Sequence, residues 1–151
     1  MKLTHVDERG QARMVDISEK KMARRTAVAE GKLFILGRTR KLILETALPK
    51  GSPFEAARLA GIQAAKQTSQ LIPLCHNLTL DLVDVEIELQ EDAFLIRSRV
   101  CCRWATGVEM EALTAVSVAA LTLYDMCKAV DRKMVIGEVR LLEKTKDESG
   151  Q

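Results

Sequence analysis

Aromatic side chains are scarce: one Trp, one Tyr and three Phe make up 3% of 151 residues. A platform that stacks unpaired bases needs more rings, so that mode of nucleic-acid binding is disfavoured. Charge of one sign is also lacking, because 23 Lys and Arg face 21 Asp and Glu for a net +2. That excludes a polybasic binder acting through bulk charge, though not a local anion site, and no nucleic-acid partner is expected. Eight Gly and three Pro are too few for a disordered or fibrous chain. No apolar run approaches the ~18 residues of a spanning helix, so no membrane is expected. The start of the chain lacks the apolar stretch of a secretory leader, which predicts a cytoplasmic location.

The four cysteines, Cys75, Cys101, Cys102 and Cys127, show no CxxC spacing. Adjacent Cys101 and Cys102 would point to opposite faces of a strand. They read as reduced thiols. A zinc site would have to recruit Cys75, Cys127, His76 and His5, among which no pair has ligand spacing, so no metal centre is expected.

What is present is 47% hydrophobic and 29% charged sequence, as in a soluble globular protein. Residues 1–151 are expected to form a single domain, with 1–13 and 145–151 loose. Ser18 is expected to cap a short helix carrying Lys20, Lys21, Arg24 and Arg25. Residues 26–36 fit strand or helix, and 38–48 a short helix. Ser52, Pro53 and Glu55 predict N-cap, N1 and N3 of a helix running to Leu71, where Pro73 stops it. Val83, Val85, Ile87 and Leu89 alternate with polar residues, as do residues 94–103, with Glu91-Asp92 as the turn. In that hairpin Glu86 and Glu88 are expected opposite Arg97 and Arg99. A long helix follows over about 108–130, then a strand over 134–143 interrupted at Gly137. Helices on one face of an antiparallel sheet, an α+β ferredoxin-like arrangement, is the expected fold.

Three stretches stand out. Residues 71–77 leave a helix, turn at Pro73 and present His76 between helix and strand, where functional residues concentrate. Glu109 and Glu111 open the long helix, where compensation of the helix dipole is the plain alternative. Asp125 and Lys128 are spaced i, i+3 and can meet on one face, either as a surface ion pair or as a carboxylate tuning a lysine. Glu111 and Asp125 lie about 21 Å apart along the helix axis, so one small head group cannot touch both. A long ligand or a site shared between subunits would resolve this. Lys50-Gly51-Ser52, just ahead of a helix N-terminus, is a plausible anion site.

These stretches resemble the MoaC family, the cyclic pyranopterin monophosphate synthases of molybdenum cofactor biosynthesis. The resemblance rests on Thr4-His5-Val6, residues 14–18, Lys50-Gly51, 60–66, 71–76, 107–115 and 123–130, in order along the chain. It implies conversion of 3′,8-cyclo-7,8-dihydroguanosine 5′-triphosphate to cyclic pyranopterin monophosphate and pyrophosphate. It implies a homohexamer, a trimer of dimers, with sites at subunit interfaces. It implies no organic cofactor and allows magnesium to accompany the triphosphate. By motif, Asp125 and Lys128 are catalytic, with Lys50 and His76. Leu74, Cys75, His76, Glu109, Met110, Glu111, Arg25 and Lys144 bind substrate. A desolvated Lys128 acting as neutral base, oriented by Asp125, is the expected pairing, and Glu111 suits the guanine edge.

The chain departs from the family pattern at Ser52 for Asp, at Asn77 for Pro, and in lacking a glycine pair after Lys144. The rival readings are a ligand-sensing module on the same fold and an RNA binder, which the charge and the few aromatics oppose.

Overall fold

The structure, a computed structural model, describes residues 4–148. Eight elements run β1 (Ala23–Phe34), α1 (Gly37–Leu44), α2 (Pro53–Lys66), α3 (Thr68–Leu71), β2 (Leu82–Leu89), β3 (Ala93–Trp104), α4 (Glu109–Cys127) and β4 (Val135–Asp147). The strands form one sheet in the order β2-β3-β1-β4, and every adjacent pair is antiparallel. This is the ferredoxin-like α+β arrangement: two split βαβ units whose helices share one face.

Alternation decides which face is covered. Ala27, Ala29 and Leu33 of β1 and Phe94, Ile96 and Val100 of β3 are buried, and Ser98 between them donates to the Ala112 carbonyl of α4 at 2.7 Å. The other face carries charge. There Glu30 accepts from Arg97 and Arg140, each at 2.9 Å, and so ties β1 to both neighbours. Helix α4 is the core helix, with Ala112, Ala115, Val116, Ala119, Ala120 and Leu123 buried against the sheet and α2. By length and composition it could also cross a bilayer, but here its apolar stripe is used in the core. Small residues allow the close approach. A Cβ on Gly31 would meet Val116 Cγ1 at 2.7 Å and Val139 Cγ2 at 3.0 Å.

Several local expectations change. The segment after Ser18 is not a helix. Arg24 and Arg25 lie in β1, which is hydrogen-bonded on both sides, to Arg103 and Cys102 of β3 and to Asp147 and Lys146 of β4. A helix of a few residues would have no comparable pairing. Ser52 occupies the N-cap with Pro53 at N1, but makes no side-chain cap bond, and Glu55 turns to Arg58 at 3.3 Å instead. The helix expected to reach Leu71 breaks at Gln67, where the Thr68 hydroxyl bonds back to the Ala64 and Ala65 carbonyls. In the hairpin Glu86 does face Arg97, but Arg99 faces Asp84 and Glu88 faces Leu95. An antiparallel register makes partner numbers run in opposite directions.

The interruption at Gly137 is a real irregularity. The β1–β4 register shifts between Glu30 and Lys32, and Glu138 has φ of 54°. The strand nevertheless continues through Asp147. Residues 145–147, expected to be loose, are paired in it. Of the expected loose start, residues 4–13 hold a folded turn, whereas 1–3 and 149–151 lie outside the described residues.

Candidate functional site

Both ends of α4 carry chemistry. At its C-terminal end the Asp125 carboxylate sits between two ammonium groups. Lys128 Nζ is 2.6 Å from Oδ1 and Lys50 Nζ is 2.5 Å from Oδ2. Lys50 also donates to the Asp125 backbone carbonyl at 3.1 Å. The i, i+3 spacing brings Lys128 there. Lys50 arrives from the α1–α2 turn, where Gly51 at φ 81° takes the left-handed conformation open to glycine. The hydrogen bonds from Lys128 and then Lys50 hold the Asp125 carboxyl down at about 2. Near neutral pH this is a carboxylate flanked by two cations, open to water and net positive. Such a cluster suits an incoming phosphate. Lys128 is about half exposed, so within one protomer it is not the desolvated base expected from sequence.

Behind this cluster Asp131 is fully buried. It accepts from Leu36 N at 3.0 Å, Thr39 Oγ1 at 2.9 Å and Lys133 N at 2.9 Å. These bonds pin the turn after α4 to the start of α1.

At the N-terminal end of α4 lies a cavity of about 440 Å³, lined by Leu74, Cys75, His76, Glu109, Met110 and Glu111 among others. Six of the expected binding residues therefore converge. Glu111 is 4% exposed. Burial pushes its carboxyl up to about 7, and nearby Glu109 adds to the rise. Burial, with Glu111 close by, also raises the Cys75 thiol. Glu109 is ion-paired to Lys144 of β4, which places Lys144 at this end of α4. Arg25 does not line the cavity. Its Nη2 donates to the Ala105 carbonyl at 3.3 Å, bracing the loop before α4, while its buried Nε has no hydrogen-bond partner among the described residues.

Sequence reasoning missed the inner wall. His5, Val15, Ile17 and Lys20 also line this cavity, and His76 Nε2 is 2.7 Å from the Val15 carbonyl. The clue was Asp7 and Gly10, a turn signal inside a segment read as loose. Asp7 Oδ1 accepts from Arg9 N and Gln11 N, and Val6 bridges to Ala12.

A roomier hollow, about 510 Å³, lies near the strand ends. Its Arg24, Arg99 and Arg103 share it with Asp81, Asp147 and Glu148, so its charges are already matched. Among the described residues no three His, Cys, Asp or Glu side chains gather as a metal centre requires.

Fold and geometry together define a class. This is a ferredoxin-like α+β protein with two clusters of titratable and cationic groups at opposite ends of one core helix, suited to proton transfer on an anionic ligand. Residues 14–147 match the model of the MoaC family, and the chain belongs to that family. It is 54% identical over 151 residues to the cyclic pyranopterin monophosphate synthase of Parvibaculum lavamentivorans, covering 99% of this chain and 94% of that one. It is 55% identical over 150 residues to the protein of the same name from Pelotomaculum thermopropionicum, covering 98% and 88%. A molybdenum cofactor biosynthesis bifunctional protein from Chlorobaculum tepidum is 55% identical over 145 residues, 96% of this chain but 46% of that longer one.

Proposed function

We propose that this protein is a lyase of molybdenum cofactor biosynthesis. It converts 3′,8-cyclo-7,8-dihydroguanosine 5′-triphosphate to cyclic pyranopterin monophosphate with release of pyrophosphate. The observation that carries the reading is Asp125 held between Lys50 and Lys128, in a chain of this family. Every step of such a rearrangement moves protons, so positioned acids and bases are what it needs. Asp125 and Lys128 are the acid/base pair, with Asp125 holding Lys128 in place. Lys50 and His76 serve the phosphates. Glu111, poised near neutrality by burial, accepts or returns a proton at the purine-derived ring. Leu74, Cys75, Glu109 and Met110 shape the pocket around that ring. Lys144 exchanges Glu109 for a phosphate oxygen, and Arg25 holds the adjoining loop.

Within one copy the two clusters are about 21 Å apart. We propose that a second copy joins them, with the N-terminal end of one α4 meeting the C-terminal end of its neighbour's across a two-fold axis. In this reading the contact recurs in each dimer of a homohexamer built as a trimer of dimers. Supporting it, β4 is an edge strand with Val135, Val139, Leu141 and Leu142 exposed, and α4 exposes Leu121. Such an edge ordinarily meets a partner. The reaction draws on no organic cofactor in this reading. Any magnesium would accompany the triphosphate, because the Asp125 and Glu109 carboxylates are already paired with lysines. The cytoplasm is the proposed location, and neither nucleic acid nor membrane is a proposed partner.

The test is to mix the protein with the cyclic dihydroguanosine triphosphate and follow pyrophosphate. Release by the wild type and its loss in Lys128→Ala support the reading. No release, as from a ligand-sensing module, or normal turnover by Lys128→Ala, contradicts it.

A further inference from the structure

One carboxylate completes two helix ends that cannot complete themselves. Helix α1 has the apolar Leu36 at its N-cap and no acidic residue in its first turn. Leu36 has no side-chain oxygen to accept from that turn, and nothing near in sequence offsets the positive end of the helix. Helix α4 ends without a glycine. Lys128 stands at its C-cap in the right-handed conformation, with φ of −59° and ψ of −21°, so no left-handed residue there turns the chain away.

Asp131 supplies what both ends lack. It lies in the turn after α4, where its own N–H and that of Val130 donate to the Cys127 carbonyl at 3.1 and 3.0 Å. Its Oδ2 accepts from Leu36 N and Thr39 Oγ1, 95 and 92 residues away in sequence, as an N-cap side chain would. Its Oδ1 accepts from Lys133 N and closes the turn. Asp131 is fully buried, so these charge-assisted bonds form without competition from water.

The two lysines that flank Asp125 ride on the pieces so joined. Lys128 sits in the clamped turn, its N–H donating to the Tyr124 carbonyl at 2.9 Å. Lys50 follows α1, just past the buried Leu48. Both lysine side chains are about half exposed. Exposed ion pairs are individually weak and do not fix the backbone that carries them. A buried clamp does.

We propose that Asp131 is a positioning residue: too deeply buried to touch substrate, it clamps the turn bearing Lys128 to the helix that leads to Lys50, and so holds both lysines on Asp125 in their reactive arrangement. The reaction served rests on the function proposed above; the clamp itself does not.

The test compares Asp131→Ala, which removes the clamp, with Asp131→Asn, which keeps an acceptor oxygen for Leu36 N and Thr39 Oγ1. Gly31→Ala is the control, strained where β1 meets Val116 and Val139 instead. Hydrogen exchange of the free protein reads the clamp. In Asp131→Ala the Lys128 and Val130 amides are expected to exchange at least about tenfold faster relative to those of β3, whereas Gly31→Ala speeds both alike. With the cyclic dihydroguanosine triphosphate, Asp131→Ala is expected to lower kcat about tenfold or more and to leave KM within about threefold. Asp131→Asn recovers part of kcat, and Gly31→Ala keeps the wild-type value. Thr39→Val removes one of the three donors and is expected to show both effects at reduced size, so the outcome does not hang on Asp131→Ala folding. Turn amides that gain no exchange over those of β3 overturn the proposal. So does wild-type kcat in a variant whose turn has loosened, or an equal loss of kcat in Gly31→Ala. If the wild type releases no pyrophosphate while the turn loosens as expected, the reaction assignment falls and the clamp stands.

Discussion

Glu111 offers a sharp test, because its environment is unfavourable to its own charge. The carboxyl is 4% exposed, and burial raises it from 4.5 to about 7, with Glu109 adding to the rise. In the unfolded chain it titrates near 4.5. Between those values the folded state holds a proton that the unfolded state has lost, so stability falls as pH rises through this window and levels off above it. At 1.36 kcal/mol per pH unit the full shift corresponds to about 3 kcal/mol, and screening by water at the cavity mouth reduces this to about 2 kcal/mol. Glu111→Gln keeps the shape and removes the titration. Denaturant unfolding of wild type and variant, at one protein concentration, should agree near pH 4.5 and diverge by about 2 kcal/mol at pH 8, with the variant the more stable. Stability curves that stay parallel from pH 4.5 to 8 would refute the reasoning. A carbon-13 titration of the Glu111 carboxyl should place its midpoint near 7.

Asp125→Asn removes the charge that gathers the two lysines and should lower kcat/KM at least about 100-fold while leaving the unfolding midpoint nearly unchanged; steady-state kinetics beside a denaturation curve check both. Asp131→Ala strands Leu36 N, the Thr39 hydroxyl and Lys133 N. It should destabilise by about 3 kcal/mol, measurable by urea unfolding. Gly31→Ala forces a methyl against Val116 and Val139 and should destabilise by about 1–3 kcal/mol in the same assay.

Much of the fold was readable locally. Period-two alternation marked β2 and β3, and the Ala-rich periodic run marked α4, because burying one face demands those patterns. Arg24 and Arg25 were misplaced because their strand is justified by partners on both sides, more than 70 residues away in sequence. The same limit applies to the site. Asp125 and Lys128 meet through helical spacing alone, so their pairing was legible. Lys50 joins them across 75 residues, and its place came only from the resemblance. Nothing in the order of residues shows that Glu111 would be buried while Asp125, on nearly the same helical face, is half exposed. Residues 1–13 read as a loose end because of their polar composition, yet within them Asp7 satisfies the backbone N–H groups of Arg9 and Gln11 rather than solvent, a distinction composition does not make.

That complementary halves of the site come from different copies can be tested by mixing two inactive variants. Lys128→Ala disables one cluster and His76→Ala the other. In a two-fold dimer with shared sites, random reassortment of equal amounts gives half hybrids, each with one intact site, so about a quarter of wild-type pyrophosphate release should return. If each copy instead supplies both clusters to its own site, the mixture will stay as inactive as its components.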